Sequence, residues 1–142
     1  MWINNLEADE WSSGPAMSIS RYFHGCGSFK DQNDGKNKII VAGGITSVNG
    51  KDKILKSSEI FNGDEWQRGP DLPQELCCGQ IVTSLNNEKV LWIGGGDIVD
   101  EANDISYHIY ELSKALDEWI ELPQTMTTGR IFFAAVDVPG MC

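Results

Sequence analysis

The stretch Asp-Glu-Trp occurs three times, ending at Trp11, Trp66 and Trp119, which lie 55 and 53 residues apart. Recurrence at such a period is the mark of repeated supersecondary units that bury their apolar faces against one another. The sequel to each tryptophan also recurs. Gly14-Pro15, Gly69-Pro70 and Leu122-Pro123 come first, then a long apolar residue at Met17, Leu72 or Met126. Four positions further on sit Arg21, Leu76 and Arg130.

Between the tryptophans the chain twice writes an apolar run that ends in paired glycines. "KIIVAGG" ends at Gly43-Gly44 and "KVLWIGGG" runs through Gly94-Gly95. One unit therefore reads as four short pieces. They are the stretch after the arginine position, the double-glycine run, a piece ending in an aromatic residue (Phe61 or Tyr110), and the piece that carries the tryptophan. Each has strand length and is bounded by Gly, Asn, Asp or Pro. No period of 3.6 persists long enough to predict a helix. Around the first and third tryptophans, "MWINNLEADEW" and "IYELSKALDEW" align without a gap and place Trp2 over Tyr110.

Four short strands repeating at about 50 residues is the pattern of a propeller blade. With the double glycines, Phe61 and Tyr110, and Trp11, Trp66 and Trp119 in this order, the chain resembles the kelch-repeat family over essentially its whole length. The resemblance implies an all-β fold, a β-propeller fragment of four-stranded antiparallel blades. Residues 1–14 would supply the last two strands of a blade, 15–69 and 70–122 two full repeats, and 123–142 the start of a further blade, with a lone first strand over Thr127–Val138. The copies are not identical: Leu76 stands where the others have arginine, and the first copy has no double glycine. A closed propeller needs about 4–8 blades. The uncapped ends point to a piece of a longer propeller, with oligomeric closure and self-association as the alternative.

By the same resemblance, the expected function is a non-catalytic scaffold that binds a protein through its blade loops. The loop candidates are Asn49, Lys51 and Lys53 in one repeat and Asp97, Asp100, Glu101 and Asp104 in the next. These two loops differ in length and charge between copies, and inserted loops on one face of a repeat array are often the binding face. The alternative is a fragment of a propeller enzyme such as a galactose-oxidase-like copper oxidase. Tyr22, Tyr107, Tyr110, His24 and His108 are of the right residue types, but no motif gathers them.

The net charge of −10, with 21 acidic and 11 basic residues, argues against a phosphate-tracking nucleic-acid binder and against an anionic membrane surface. No apolar run approaches the ~20 residues of a membrane helix, and Met1–Gly14 lacks the basic start and apolar core of a secretory leader. Cys26, Cys77, Cys78 and Cys142 are expected to be buried free thiols, since adjacent Cys77 and Cys78 can hardly bridge without strain. They leave the compartment open.

No cofactor or metal is expected. "HGC" and "CC" lack zinc-ligand spacing, and neither "DQNDGKNK" nor "GDIVDEAND" keeps the Asp-x-Asp-x-Asp-Gly pattern of a calcium loop. His24 and His108 sit in no catalytic motif. The double glycines do not match a dinucleotide loop, which needs Gly-x-Gly-x-x-Gly opening a helix. They are read as structural, making room for the tryptophan of the fourth strand, so that Gly44→Val would damage folding.

Overall fold

The computed structural model describes residues 2–5, 7–84, 89–99 and 104–138. Among them the fold is all-β, without helices. The first four-stranded antiparallel sheet comprises β3 (Gly25–Lys30), β4 (Asn37–Ala42), β7 (Ser58–Phe61) and β8 (Trp66–Arg68), in the order β3-β4-β7-β8. The second comprises β9 (Gln80–Thr83), β10 (Val90–Ile93), β13 (Ile109–Leu112) and β14 (Trp119–Glu121), in the order β9-β10-β13-β14. Both are blade-like meanders, with each strand paired to its successor in the unit. Ahead of them β1 (Trp2–Asn5) and β2 (Glu10–Ser13) form a two-stranded sheet.

Local chemistry explains the turn before each tryptophan. Asn62 and Ser113 each directly follow a third strand, and each side chain accepts hydrogen bonds from the backbone N–H groups ahead of the tryptophan. Asn62 Oδ1 takes those of Asp64 and Glu65, and Ser113 Oγ takes those of Asp117 and Glu118. Asn and Ser favour turns because their short side chains can bond the nearby backbone in this way. The Glu65 and Glu118 carbonyls close the two turns onto the N–H groups of Asn62 and Ser113.

Each double-glycine strand is followed by a hairpin absent from the sequence reading. β5 (Ile45–Val48) pairs with β6 (Lys51–Ile54), and β11 (Gly96–Asp97) with β12 (Asp104–Ile105). Asn49 (φ 53°) and Gly50 (φ 74°) close the first, the pairing that a two-residue turn with both central residues left-handed demands.

The paired glycines lie at the seam between units. Gly43 (φ 60°) donates its N–H to the Ser57 carbonyl, and Gly44 (φ 91°) donates to Leu76 of the next unit. Gly94 and Gly95 repeat this with His108 and Arg130. The expected neighbour, the tryptophan of the fourth strand, is not what fills the room. A Cβ on Gly43 would lie 2.3 Å from the Leu76 carbonyl oxygen and 3.1 Å from the Trp92 ring; one on Gly44 would lie 2.7 Å from the Tyr22 carbonyl oxygen. Trp92, on β10, is fully buried and also presses on Gly25 and Gly79. The fourth-strand Trp66 is half-buried, tilted against Phe61 with 5.4 Å between ring centroids, and donates its indole N–H to the Pro15 carbonyl. Trp11 is 66% exposed, while Trp119 is buried.

Strand register corrects the repeat alignment. Phe61 pairs with Trp66, but the partner of Trp119 is Leu112, and Tyr110 pairs with Glu121. Phe61 is thus equivalent to Leu112, and Tyr110 to Glu59. The shift is two residues, so both positions stay on one face of the strand.

The main core lies between the two sheets, with Phe29, Ile40 and Ile60 of the first meeting Ile81, Trp92 and Tyr110 of the second. The strand expected over Thr127–Val138 is not found. Residues 131–138 alternate between half-buried and exposed as a strand would, but belong to no sheet. A strand exists through its ladder, and no third double-glycine run is present to pair with this one.

Candidate functional site

The two hairpins occupy the same place in consecutive units. In both, the backbone before the inner strand bridges to the hairpin base, Tyr22 to Ile45 in one and Cys77 to Gly96 in the other. The backbone N–H groups of Leu55 and Ser106 bond the Gly44 and Gly95 carbonyls, closing the far side. Exposed Asn49, Lys51 and Lys53 therefore stand on β5–β6, and half-buried Asp97 faces exposed Asp104 across β11–β12. Asp100 and Glu101 lie outside the described residues.

Two clefts of about 160 Å³ each lie at the hairpins. One is lined by Asp52, Lys53, Ile54, Glu75, Asp97 and Val99. The other is lined in part by Gln74, Glu75, Asp97, Asp104, Tyr107 and His108. Asp97 and Glu75 border both, so Lys53, Asp97 and Asp104 are gathered around shared walls, whereas Asn49 and Lys51 line neither cleft. Glu75 was not singled out in the sequence, and Tyr107 and His108 were considered there only as residue types for a copper site. Their signal for a place at the clefts is position alone: Glu75 just precedes the Leu76 seam, and Tyr107-His108 just precede β13.

The Tyr107 and His108 rings stack at 4.5 Å between centroids, and the His108 and Tyr110 rings at 6.1 Å. His108 Nδ1 comes within 2.7 Å of Glu121 Oε1 but lacks the alignment of a hydrogen bond. Burial and the negative charge of Glu121 push the Tyr110 hydroxyl above its ordinary value, against a hydrogen bond received from Gln74 Nε2 at 2.7 Å. Tyr22 and His24 precede β3 in the other sheet. Burial, followed by the Arg21 charge, lowers the His24 pKa and favours a neutral ring.

The thiols divide. Cys77 and Cys78 are free and buried, with their sulfurs 3.5 Å apart, and burial pushes both up, Cys78 to about 12. Such thiols are protonated and poor nucleophiles. Cys26, expected to be buried, is exposed, because its face of β3 has no neighbouring sheet among the described residues. Cys142 lies outside them.

A buried ion pair supports the first unit. Arg21 Nη2 lies 2.9 Å from Glu59 Oε1, and Arg21 Nη1 donates to the Gly43 and Ser57 carbonyls. Glu59 also accepts from the backbone and hydroxyl of Ser18 and the backbone of Ile19. Burial acts to raise the Glu59 pKa, but the hydrogen bonds from Ser18, Arg21 and Ile19 outweigh it and hold it below the ordinary value. Asp31, in the loop weighed as a calcium site, instead accepts from Lys38 and from the Asn33 backbone and side chain. Among the described residues no group of three or more His, Cys, Asp or Glu could hold a metal ion, and no helix is long and apolar enough to cross a membrane.

No protein-family model matches the chain, and no curated protein matches it in sequence.

Proposed function

We propose that this chain is part of a kelch-type propeller scaffold, non-catalytic, that binds a protein partner through β5–β6 and β11–β12. One observation carries the reading: the two hairpins rise from equivalent points of consecutive units and border clefts that share the Glu75 and Asp97 wall. Strands fix the hairpin bases, while the exposed side chains differ between copies. That division between rigid frame and variable loop suits recognition. Loop exchange between repeats then changes the partner without changing the frame.

The test is affinity capture from an extract of the source organism, comparing the wild type with Lys51→Glu/Lys53→Glu/Asp104→Lys. A specific partner held by the wild type and lost by the triple variant, at equal melting temperature, is the expected result. An unchanged set of bound proteins contradicts it. The enzymatic alternative places a copper site among the tyrosines and histidines. Elemental analysis and intact mass test it directly: bound copper, or the mass loss of a tyrosine–cysteine cross-link, overturns the scaffold reading.

A further inference from the structure

The dipeptide Asn-Gly occurs twice, at Asn49-Gly50 and Asn62-Gly63. It carries a chemistry of its own. The glycine amide nitrogen can attack the asparagine side-chain carbonyl carbon, because glycine has no side chain to hinder the approach. The fold gives the two copies opposite surroundings.

Asn62 is half-buried, and its Oδ1 accepts from the backbone N–H groups of Asp64 at 2.9 Å and Glu65 at 3.0 Å. Its own N–H is held by the Glu65 carbonyl. Swinging the Asn62 amide onto the Gly63 nitrogen means breaking both side-chain bonds. Asn49 stands exposed at the tip of β5–β6, and its side chain makes no hydrogen bond among the described residues. The Gly50 N–H donates to no backbone carbonyl there. Chain neighbours aside, no heavy atom lies within 4 Å of a Cβ placed on Gly50. Only the hairpin base is packed, at buried Ile45 and Ile54, while residues 47–53 are exposed. Such a tip opens locally at little cost.

We propose that Asn49-Gly50 is a self-modification site, converted by water alone to aspartate and isoaspartate, and that the turn at Asn62 keeps the second copy intact. The Gly50 N–H proton passes to hydroxide, and the nitrogen bonds to Asn49 Cγ. The Cγ–Nδ2 bond then breaks, and ammonia leaves with a proton from water. Water opens the cyclic imide that remains. Attack at Cγ restores the backbone and leaves an aspartate side chain. Attack at the former Asn49 backbone carbonyl leaves isoaspartate, with the chain running through the side chain. Either product puts a new carboxylate on the hairpin that carries exposed Lys51 and Lys53. Isoaspartate also lengthens the backbone of a turn closed by the direct pairing of Val48 with Lys51, so the tip unpairs. The chemistry needs no partner and stands whether or not the hairpin binds one.

The test incubates the folded protein in mildly alkaline buffer beside a sample unfolded in concentrated urea. Peptide mapping by mass spectrometry and enzymatic methylation of isoaspartyl carboxylates follow each site. In urea the two asparagines should convert at similar rates. In the folded protein Asn49 should convert about tenfold or more faster than Asn62, the ratio that two hydrogen bonds to break imply. The converted protein should melt close to the unmodified one, since only the exposed tip has changed. Asn62 converting as fast as Asn49 in the folded protein overturns the proposal. So does folding that slows Asn49 as much as Asn62, or a large drop in melting temperature on conversion of Asn49.

Discussion

Arg21 and Glu59 occupy positions that Leu76 and Tyr110 fill in the second unit, and Val41 occupies that of Trp92. The three differences act together. In the first unit the guanidinium satisfies the Gly43 carbonyl; in the second, the Trp92 indole N–H satisfies the equivalent Gly94 carbonyl at 2.8 Å, and the ion pair gives way to apolar packing. Removing one member of a buried pair strands the other, so Arg21→Leu should cost about 3–5 kcal/mol. Adding Glu59→Gln should recover part of that loss in denaturant titrations; a double variant no more stable than the single refutes the coupling. The acid limb follows from the same contact. Because the Glu59 pKa is depressed on folding, its stabilisation is present above the ordinary value of 4.5 and is lost as pH falls through the lower folded value. Melting temperature against pH should show this loss in the wild type and less of it in Glu59→Gln. Alkylation under native conditions should modify Cys26 and spare Cys77 and Cys78, which are buried; rapid modification of all three would contradict the packing.

At the scale of elements, the eight strands of the two four-stranded sheets were legible because glycine, asparagine and proline mark where each run stops. The hairpins β5–β6 and β11–β12 were not. Asn49-Gly50 is a strong turn signal, but the flanking residues of β5–β6 are mostly polar and exposed beyond Ile45 and Ile54, so the alternation that would have announced strands is faint. Tyr110 was placed two residues out because an aromatic was matched to an aromatic. Register depends on where the turn closes, and the turn before Trp119 is two residues longer than the one before Trp66. The double glycines were assigned the fourth-strand tryptophan as neighbour, whereas Gly43 meets Leu76 and Trp92 of the following unit and Gly94 meets Met126 and Phe133. Two glycines separate backbone strain from packing. Gly50 has no atom within 4 Å of its notional Cβ, so Gly50→Ala should cost about 1 kcal/mol through its left-handed backbone alone. Gly44→Ala adds a clash with the Tyr22 carbonyl and should lower the melting temperature clearly further. Equal losses at the two sites would remove the role given to Gly44 at the seam.

Across the whole molecule, stability rests on the seam between consecutive units as much as on the sheets. Trp92, Ile81 and Leu76 of the second unit fill the space over Gly25, Gly27 and Gly43 of the first. The hydrogen bonds from Gly44 to Leu76 and from Cys78 to Phe23 cross the same boundary, and those from Gly95 to Arg130 and from Phe132 to Cys78 repeat them one unit on. The all-β, four-stranded antiparallel sheets were legible in the sequence pattern. The seam was not, because its partners lie tens of residues apart and only the fold brings them together. Native-state hydrogen exchange of individual amides tests the account most directly. The Gly44 and Cys78 N–H groups should exchange as slowly as those of β4 and β10, and in the same global opening. Fast, loop-like exchange at Gly44 and Cys78 beside protected β4 and β10 amides would show that the sheets do not share the seam described.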